Sequence, residues 1–241
     1  MKRVDVCTSV PVARGSLPLR GTLLMPRSTT PALSTPRILL RSPLPSDRTE
    51  YVALRRRSAA LLGPWEPHTP RGALPSPAKV FERLLESAHT ESSRRLLICE
   101  VSTSAIVGQV SLNQIFRGPF NNAILGYWLG EGSHGKGYMT EALALAVEHA
   151  FGPLKLHRVE ANIIPSNAPS IALVKRLGFR REGTARRYLQ IAGRYQDHVH
   201  WALTSEEWPT AAARRILPGG KALTPRVIGR RGRTSVRTIR R

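Results

Sequence analysis

The sequence predicts a mixed α/β fold with a mostly antiparallel central sheet flanked by helices, and three observations carry that prediction. Two β-rich runs, "RLLICEV" and "AIVGQVSLNQI", are separated only by residues 102–104, and a third, "AILGYWL", follows them as a meander. One strand–helix–strand alternation comes next. A second hairpin, turning at Gly193, ends the patterned region.

The elements follow in order. Residues 1–35 are rich in Pro, Ser, Thr and Arg without a sustained apolar period, which predicts an unstructured basic leader; Met25 offers an alternative start. A short strand is expected around Arg37–Arg41. Asp47 with Glu50 three residues on resembles a capping box and predicts a helix from about Arg48 to Leu62. The run "GPWEPHTPRGALPSP" is a loop. Ser76 then caps a second helix with Pro77 at its first position, and Val80, Phe81, Leu84, Leu85 and Ala88 share one side. After the meander, residues 138–151 place Met139, Ala142, Leu143, Ala146, Val147 and Ala150 on one buried helical face, and Gly152 and Pro153 stop the helix. "HRVEANI" alternates as a strand should, with Val159, Ala161 and Ile163 on one side. Asn167 can cap a short helix that tolerates Pro169 in its first turn and ends at Gly178. "TARRYLQI" and "DHVHWALT" form the closing hairpin, with Val199, Trp201 and Leu203 inward. These bounds give a domain over residues 36–210 and a basic tail over 211–241.

The formal net charge of +21 is uneven: residues 211–241 hold ten Lys and Arg and no acid. Such a balance favours contact with polyanions such as nucleic acid, or simply a solvated tail, and says nothing about fold. The two cysteines, Cys7 and Cys99, lie far apart and suggest a reducing compartment, with no disulfide framework and no metal-ligand spacing. No apolar run approaches the ~20 residues of a membrane span. A cytoplasmic protein is expected.

The stretch "GEGSHGKGYMT" (130–140) admits several readings. Gly130, Gly132 and Gly135 form a G-x-G-x-x-G, but a doubly wound sheet needs more βα units than this chain supplies. Gly130, Gly135 and Lys136 match most of a P-loop, yet Gly137 stands where the magnesium-binding hydroxyl belongs. A tight strand-to-helix turn is the plainest alternative. A glycine turn feeding a helix N-terminus also offers free N–H groups and partial positive charge, which suits a diphosphate.

Three segments, "LGYWLGEGSHGKGYMTEALALAVEHAF", "HRVEANIIPSNAPSIALVKRLGFRREG" and "YLQIAGRYQDHVHWALTSEEW", resemble in order and spacing the GNAT superfamily of acetyl-CoA-dependent N-acetyltransferases. Within it they are most similar to the ribosomal-protein alanine N-acetyltransferases. The resemblance spans about Arg37–Pro209 and is strongest from Gly126 onward. It implies the GNAT fold, acetyl-CoA as cosubstrate and no metal. Backbone amides of the family's glycine segment cradle the coenzyme A diphosphate; here the segment is His134, Gly135, Lys136, Gly137, Tyr138 and Met139, with Thr140 following. His134 replaces the usual Arg or Gln, and Met139 replaces a small residue. Lys136 is expected as a charge partner at the rim. Asn167 would contact the pantetheine arm, with Ser170 one turn on and facing the same way.

The implied reaction is attack of a neutral amine on the acetyl thioester. An α-amine, with pKa ~8 against ~10.4 for lysine, asks little of a base. The oxyanion would be held by a backbone N–H of the strand ending near Leu129, where the family parts two strands. Many relatives use a tyrosine as general acid where this chain has Val174; Ser170 is the candidate in its place, with Tyr188 second. The carboxylate some relatives use as base falls on Leu189, which cannot accept a proton. Glu131, Glu182, Asp197 and His200 stay unranked, as does a water relay. Three functions compete: acetylation of a protein N-terminus, ribosomal by the resemblance and beginning with Ala or Ser, the basic tail contacting ribosomal RNA; acetylation of a polyamine or aminoglycoside; and an inactive domain that binds RNA.

Overall fold

The structure, a computed structural model, describes residues 33–67, 75–210 and Leu217. Eight strands build one sheet: β1 (Ile38–Arg41), β2 (His89–Thr90), β3 (Ser93–Glu100), β4 (Ile106–Phe116), β5 (Asn122–Leu129), β6 (Arg158–Ile163), β7 (Arg180–Ile191) and β8 (Arg194–Thr204). Their order is β1-β3-β4-β5-β6-β8-β7, with β2 paired to β3 alone. The helices are α1 (Arg48–Arg57), α2 (Ala59–Leu62), α3 (Pro77–Glu86), α4 (Tyr138–Phe151) and α5 (Ala168–Arg176). Every ladder is antiparallel except β5–β6, whose parallel pairing is joined through α4. Parallel neighbours need such a crossover.

Strand periodicity sorts side chains to two cores. On β3, Leu97 and Cys99 point to one face, where Tyr51 and Leu54 of α1 and Phe81 and Leu84 of α3 cover them. Ile98, between them, joins the opposite core under α4, with Val110, Leu143, Val147 and Val159. Helices therefore cover both faces of the sheet. Ser76 caps α3 as its sequence predicts: its Oγ accepts the Lys79 N–H at 3.3 Å.

Several expectations change. Asp47 and Glu50 form no capping box. The Asp47 carboxylate instead takes two hydrogen bonds from Arg41 (2.6 and 2.8 Å) and one from the Leu44 N–H, and Glu50 accepts from the Ile106 N–H at 2.6 Å. A nearby guanidinium and a strand-end amide outcompete the first-turn donors. The helix expected over 48–62 breaks at Ser58, whose buried hydroxyl accepts the Glu131 N–H (2.9 Å). The packed domain also exceeds its expected bounds: Thr35 is buried against Glu141, and Leu217 sits in the core under α4. The remainder of the expected leader and tail, and residues 68–74 of the loop, lie outside the described residues. The two-residue β2 carries too short a pattern to show in sequence. In β8, His198 and Ala202 are buried beside Val199, Trp201 and Leu203, because both faces of this inner strand are covered.

Candidate active site

The sheet opens at its one parallel pair. Asn122–Ile124 of β5 pair with Arg158–Glu160 of β6, and the ladder stops there. Beyond that point β5 continues along β4 to Leu129, while β6 continues along β8 to Ile163. A cleft of about 1150 Å³ fills the gap. Gly135, Gly137, Thr140, Asn167 and Arg176 line it on the α4–α5 side, and Leu61, Trp65, Glu66, Leu189, Ile191 and His198 line it on the other. It therefore passes through the sheet, with two arms that meet between Tyr127 and Leu129 of β5 and Ala161 and Ile163 of β6.

The first arm is built by the glycine loop. Gly130 lets β5 end against α1: a Cβ there would lie 2.2 Å from Leu54 Cδ1. Gly137 caps α4 in the left-handed region (φ +83°), which few other residues tolerate. Among the described residues, the amide N–H groups of residues 134–139 have no hydrogen-bond acceptor. Six unspent donors at the N-terminus of a 14-residue helix make an anion cradle. At Gly135 a Cβ would meet nothing within 4 Å, so the cradle is open to a ligand. The residues thus fit the diphosphate that the sequence implies.

A polar brace holds the cradle. Arg37 Nε donates to Glu141 Oε1 (2.7 Å), its Nη1 donates to the Lys136 carbonyl (2.9 Å), and Thr35 Oγ1 donates to the same Glu141 carboxylate. Glu141 sits in the first turn of α4, where the helix dipole favours a negative charge. The Tyr138 hydroxyl donates to Glu100, and Lys136 Nζ lies 5.9 Å from the Tyr138 ring centroid. The Tyr138 ring packs into the core, and neither it nor Lys136 lines the cleft. His134 folds back, with Nε2 donating to the Leu129 carbonyl at 3.2 Å, and Met139 both lines the cleft and packs into the core. Arg176, which the sequence reading did not single out, reaches Thr140 Oγ1 at 3.4 Å and adds a cation at the mouth. Its signal was its place in the last turn of a helix already named.

At the junction, the Gly130 N–H donates to the Val107 carbonyl (2.9 Å) and Leu129 stands opposite Gly108. Leu129 therefore occupies a non-hydrogen-bonded position of the β4–β5 ladder, and its N–H points away from β4 into the opening. Asn167 Oδ1 accepts the Ser170 N–H at 3.2 Å, which caps α5 and turns Ser170 toward β5. There the Ser170 and Tyr127 hydroxyls hydrogen-bond to each other. Burial pushes the Tyr127 phenol up to about 12, against a smaller downward pull from Ser170. Tyr188 stands apart: its hydroxyl accepts from Asn162 Nδ2 (3.3 Å), and its ring packs on His198 and His200.

The second arm holds His198, which the sequence reading passed over. Its Nδ1 lies 3.0 Å from the Gln196 carbonyl, and burial holds its pKa below the usual histidine range. Of the other bases considered, Glu182 is clamped by Arg158 and Arg180, and Asp197 Oδ1 accepts the Arg187 N–H at 2.8 Å.

Comparison with known proteins agrees with this geometry. The acetyltransferase (GNAT) domain family matches residues 37–180. A probable N-acetyltransferase of Bacillus subtilis (strain 168), YjcK, is 45% identical over 110 residues, 46% of this chain and 61% of that relative. The [ribosomal protein uS5]-alanine N-acetyltransferase of Escherichia coli (strain K12) is 32% identical over 178 residues, 73% of this chain and 92% of the relative. The structure of Mycobacterium smegmatis RimJ in complex with CoA-disulfide superposes with a TM-score of 0.67 at 33% identity, covering 74% of this chain and 87% of that one. The parted β5–β6 pair, the unspent amides at the α4 N-terminus and these matches place the chain in the GNAT acetyltransferase family.

Proposed function

We propose that the chain transfers the acetyl group of acetyl-CoA to the N-terminal α-amine of a protein, with ribosomal proteins beginning with Ala or Ser as the acceptors. The observation that carries this reading is the two-armed cleft through the sheet. One arm ends in an anion cradle; the other is walled by Leu61, Trp65, Leu189 and Ile191 and suits the uncharged residues of a chain end. Among the described residues, the only carboxylates lining the cleft, Glu66 and Glu141, are paired with Arg55 and Arg37. A polyamine, with several ammonium groups, would find no uncommitted anion there, whereas a peptide brings one amine. The ribosomal acceptor rests on the uS5-alanine relative.

Acetyl-CoA supplies an activated acyl thioester. The chain's own residues would do the rest. The amides of 134–139 hold the diphosphate, with Arg176 and Arg37 at the rim, and Asn167 contacts the pantetheine arm. The Leu129 N–H faces the position of the thioester carbonyl oxygen; such a donor contributes on the order of a hundredfold or more in rate. Ser170, oriented by Tyr127, faces the departing sulfur.

Incubation with acetyl-CoA and a panel of Ala-, Ser- and Met-initiated peptides, spermidine and an aminoglycoside, read by mass, tests the reading. Ala- and Ser-initiated peptides should gain one acetyl group. Acetylation of spermidine or the aminoglycoside alone would sink it.

A further inference from the structure

We propose that His198 is the general base of the transfer, accepting at Nε2 the proton that the acceptor nitrogen sheds as it attacks. The inference rests on the acetyltransferase reading above. The titratable groups that line the cleft narrow the choice. Glu66 and Glu141 are each committed to an ion pair, with Arg55 and Arg37. Tyr127 keeps its proton at neutral pH. His134 belongs to the cradle loop, in the coenzyme arm. His198 is the histidine of the acceptor arm.

Its geometry suits the task. A carbonyl oxygen only accepts, so the 3.0 Å contact with Gln196 requires the proton on Nδ1 and leaves the lone pair on Nε2. Among the described residues Nε2 has no hydrogen-bond partner. Burial keeps the ring neutral near pH 7. On its own strand His200 opposes a positive charge and Asp197 favours one. On β7 the Tyr188 ring lies 5.5 Å away, and the Arg55–Glu66 pair in the same arm is neutral overall. In the step, the amine lone pair forms a C–N bond to the acetyl carbon, the N–H proton passes to Nε2, and the C–S bond breaks. The sulfur keeps that electron pair and becomes the free thiol on taking a proton from water or from the imidazolium.

The test is the pH dependence of kcat/KM with an Ala-initiated peptide. In the wild type, log(kcat/KM) should rise with a slope of about 2 below the His198 pKa, about 1 between it and the peptide amine's ~8, and level off above. His198→Gln, whose amide can still donate to Gln196, should lose about a hundredfold in kcat/KM and show a slope of about 1 throughout the acid side. Its affinity for acetyl-CoA by calorimetry should not change. A wild-type profile with the amine's slope alone overturns the proposal, even if the variant does not fold; so does a folded variant that keeps the double slope. Failure of the acetyltransferase reading looks different: the wild type then acetylates no peptide at any pH, and the proposal falls with it.

Discussion

Ser170 and Tyr127 show how a site residue depends on a neighbour far away in sequence. The α5 cap turns Ser170 toward β5, and the Tyr127 hydroxyl fixes its rotamer. Tyr127→Phe removes that partner and leaves the strand intact. We expect kcat to fall about tenfold, the worth of roughly one buried hydrogen bond, with KM for acetyl-CoA within about twofold of wild type. If the tyrosine acts through the serine, the double variant Ser170→Ala/Tyr127→Phe loses no more than Ser170→Ala alone; additive losses in steady-state kinetics would show independent roles. The motif order pointed to Ser170 because its segment is a local pattern. Tyr127 was illegible, since within "AILGYWL" a tyrosine reads as an ordinary strand residue, and its pairing spans 43 positions. His198 was hidden in the same way: "DHVHWALT" shows an alternating face through Val199, and only the two-sided burial of β8 brings its neighbour inside.

At the scale of elements, the helices were largely legible, because capping signals are local. Ser76, Asn167 and Gly178 sit where the sequence places them. The exception, Asp47 with Glu50, failed because Arg41 and Ile106 supplied better partners than the helix's own amides. Strand order and the parting of β5 from β6 depend on long-range pairing and were available only through the family resemblance. The cradle itself depends on a left-handed cap. Gly137→Ala puts a Cβ into that conformation and 3.0 Å from Arg37 Nη2. We expect a stability loss of roughly 1–2 kcal/mol and acetyl-CoA affinity at least about tenfold weaker, read by thermal melting and calorimetry. A second element-scale device spans the closing hairpin: Glu182 on β7 takes hydrogen bonds from Arg158 on β6, across the intervening β8, and from Arg180. Both guanidiniums hold its carboxyl down to about 2, Arg158 contributing most. A lowered carboxylate pKa stabilises the fold above the unfolded value near ~4.3 and loses that contribution as pH falls through the folded one. Glu182→Gln should therefore unfold earlier at pH 7, by no more than about 1 kcal/mol for so exposed a cluster. The difference from wild type should close as pH approaches about 2 in urea titrations.

At the scale of the whole molecule, a stretch with basic but no acidic residues follows Leu217, which the core still holds. Its side chain is buried in the core under α4, so the packed domain continues past the bound of 210 that the sequence suggested. Composition alone could not show this, because the adjacent pair Ile216 and Leu217, set between alanines, arginines, proline and glycines, leaves no periodic signal. Residues 218–241 contain eight Lys and Arg and no acid. If these residues bring the enzyme to ribosomal RNA, truncation after Leu217 should leave the melting temperature and the acetylation of a short peptide unchanged. Truncation after residue 210 should instead remove a buried leucine and cost roughly 1.5–3 kcal/mol. Binding to ribosomes tests that part of the proposal separately from catalysis. Each phosphate of single-stranded RNA that a basic side chain neutralises steepens the fall of log K with log[salt] by about 0.7. Truncation after Leu217 should weaken ribosome binding at low salt and flatten that slope by several such steps, while acetylation of ribosome-bound substrate slows more than acetylation of free peptide. An unchanged slope would show that the tail neutralises no phosphates and that the acceptor is recognised by the cleft alone.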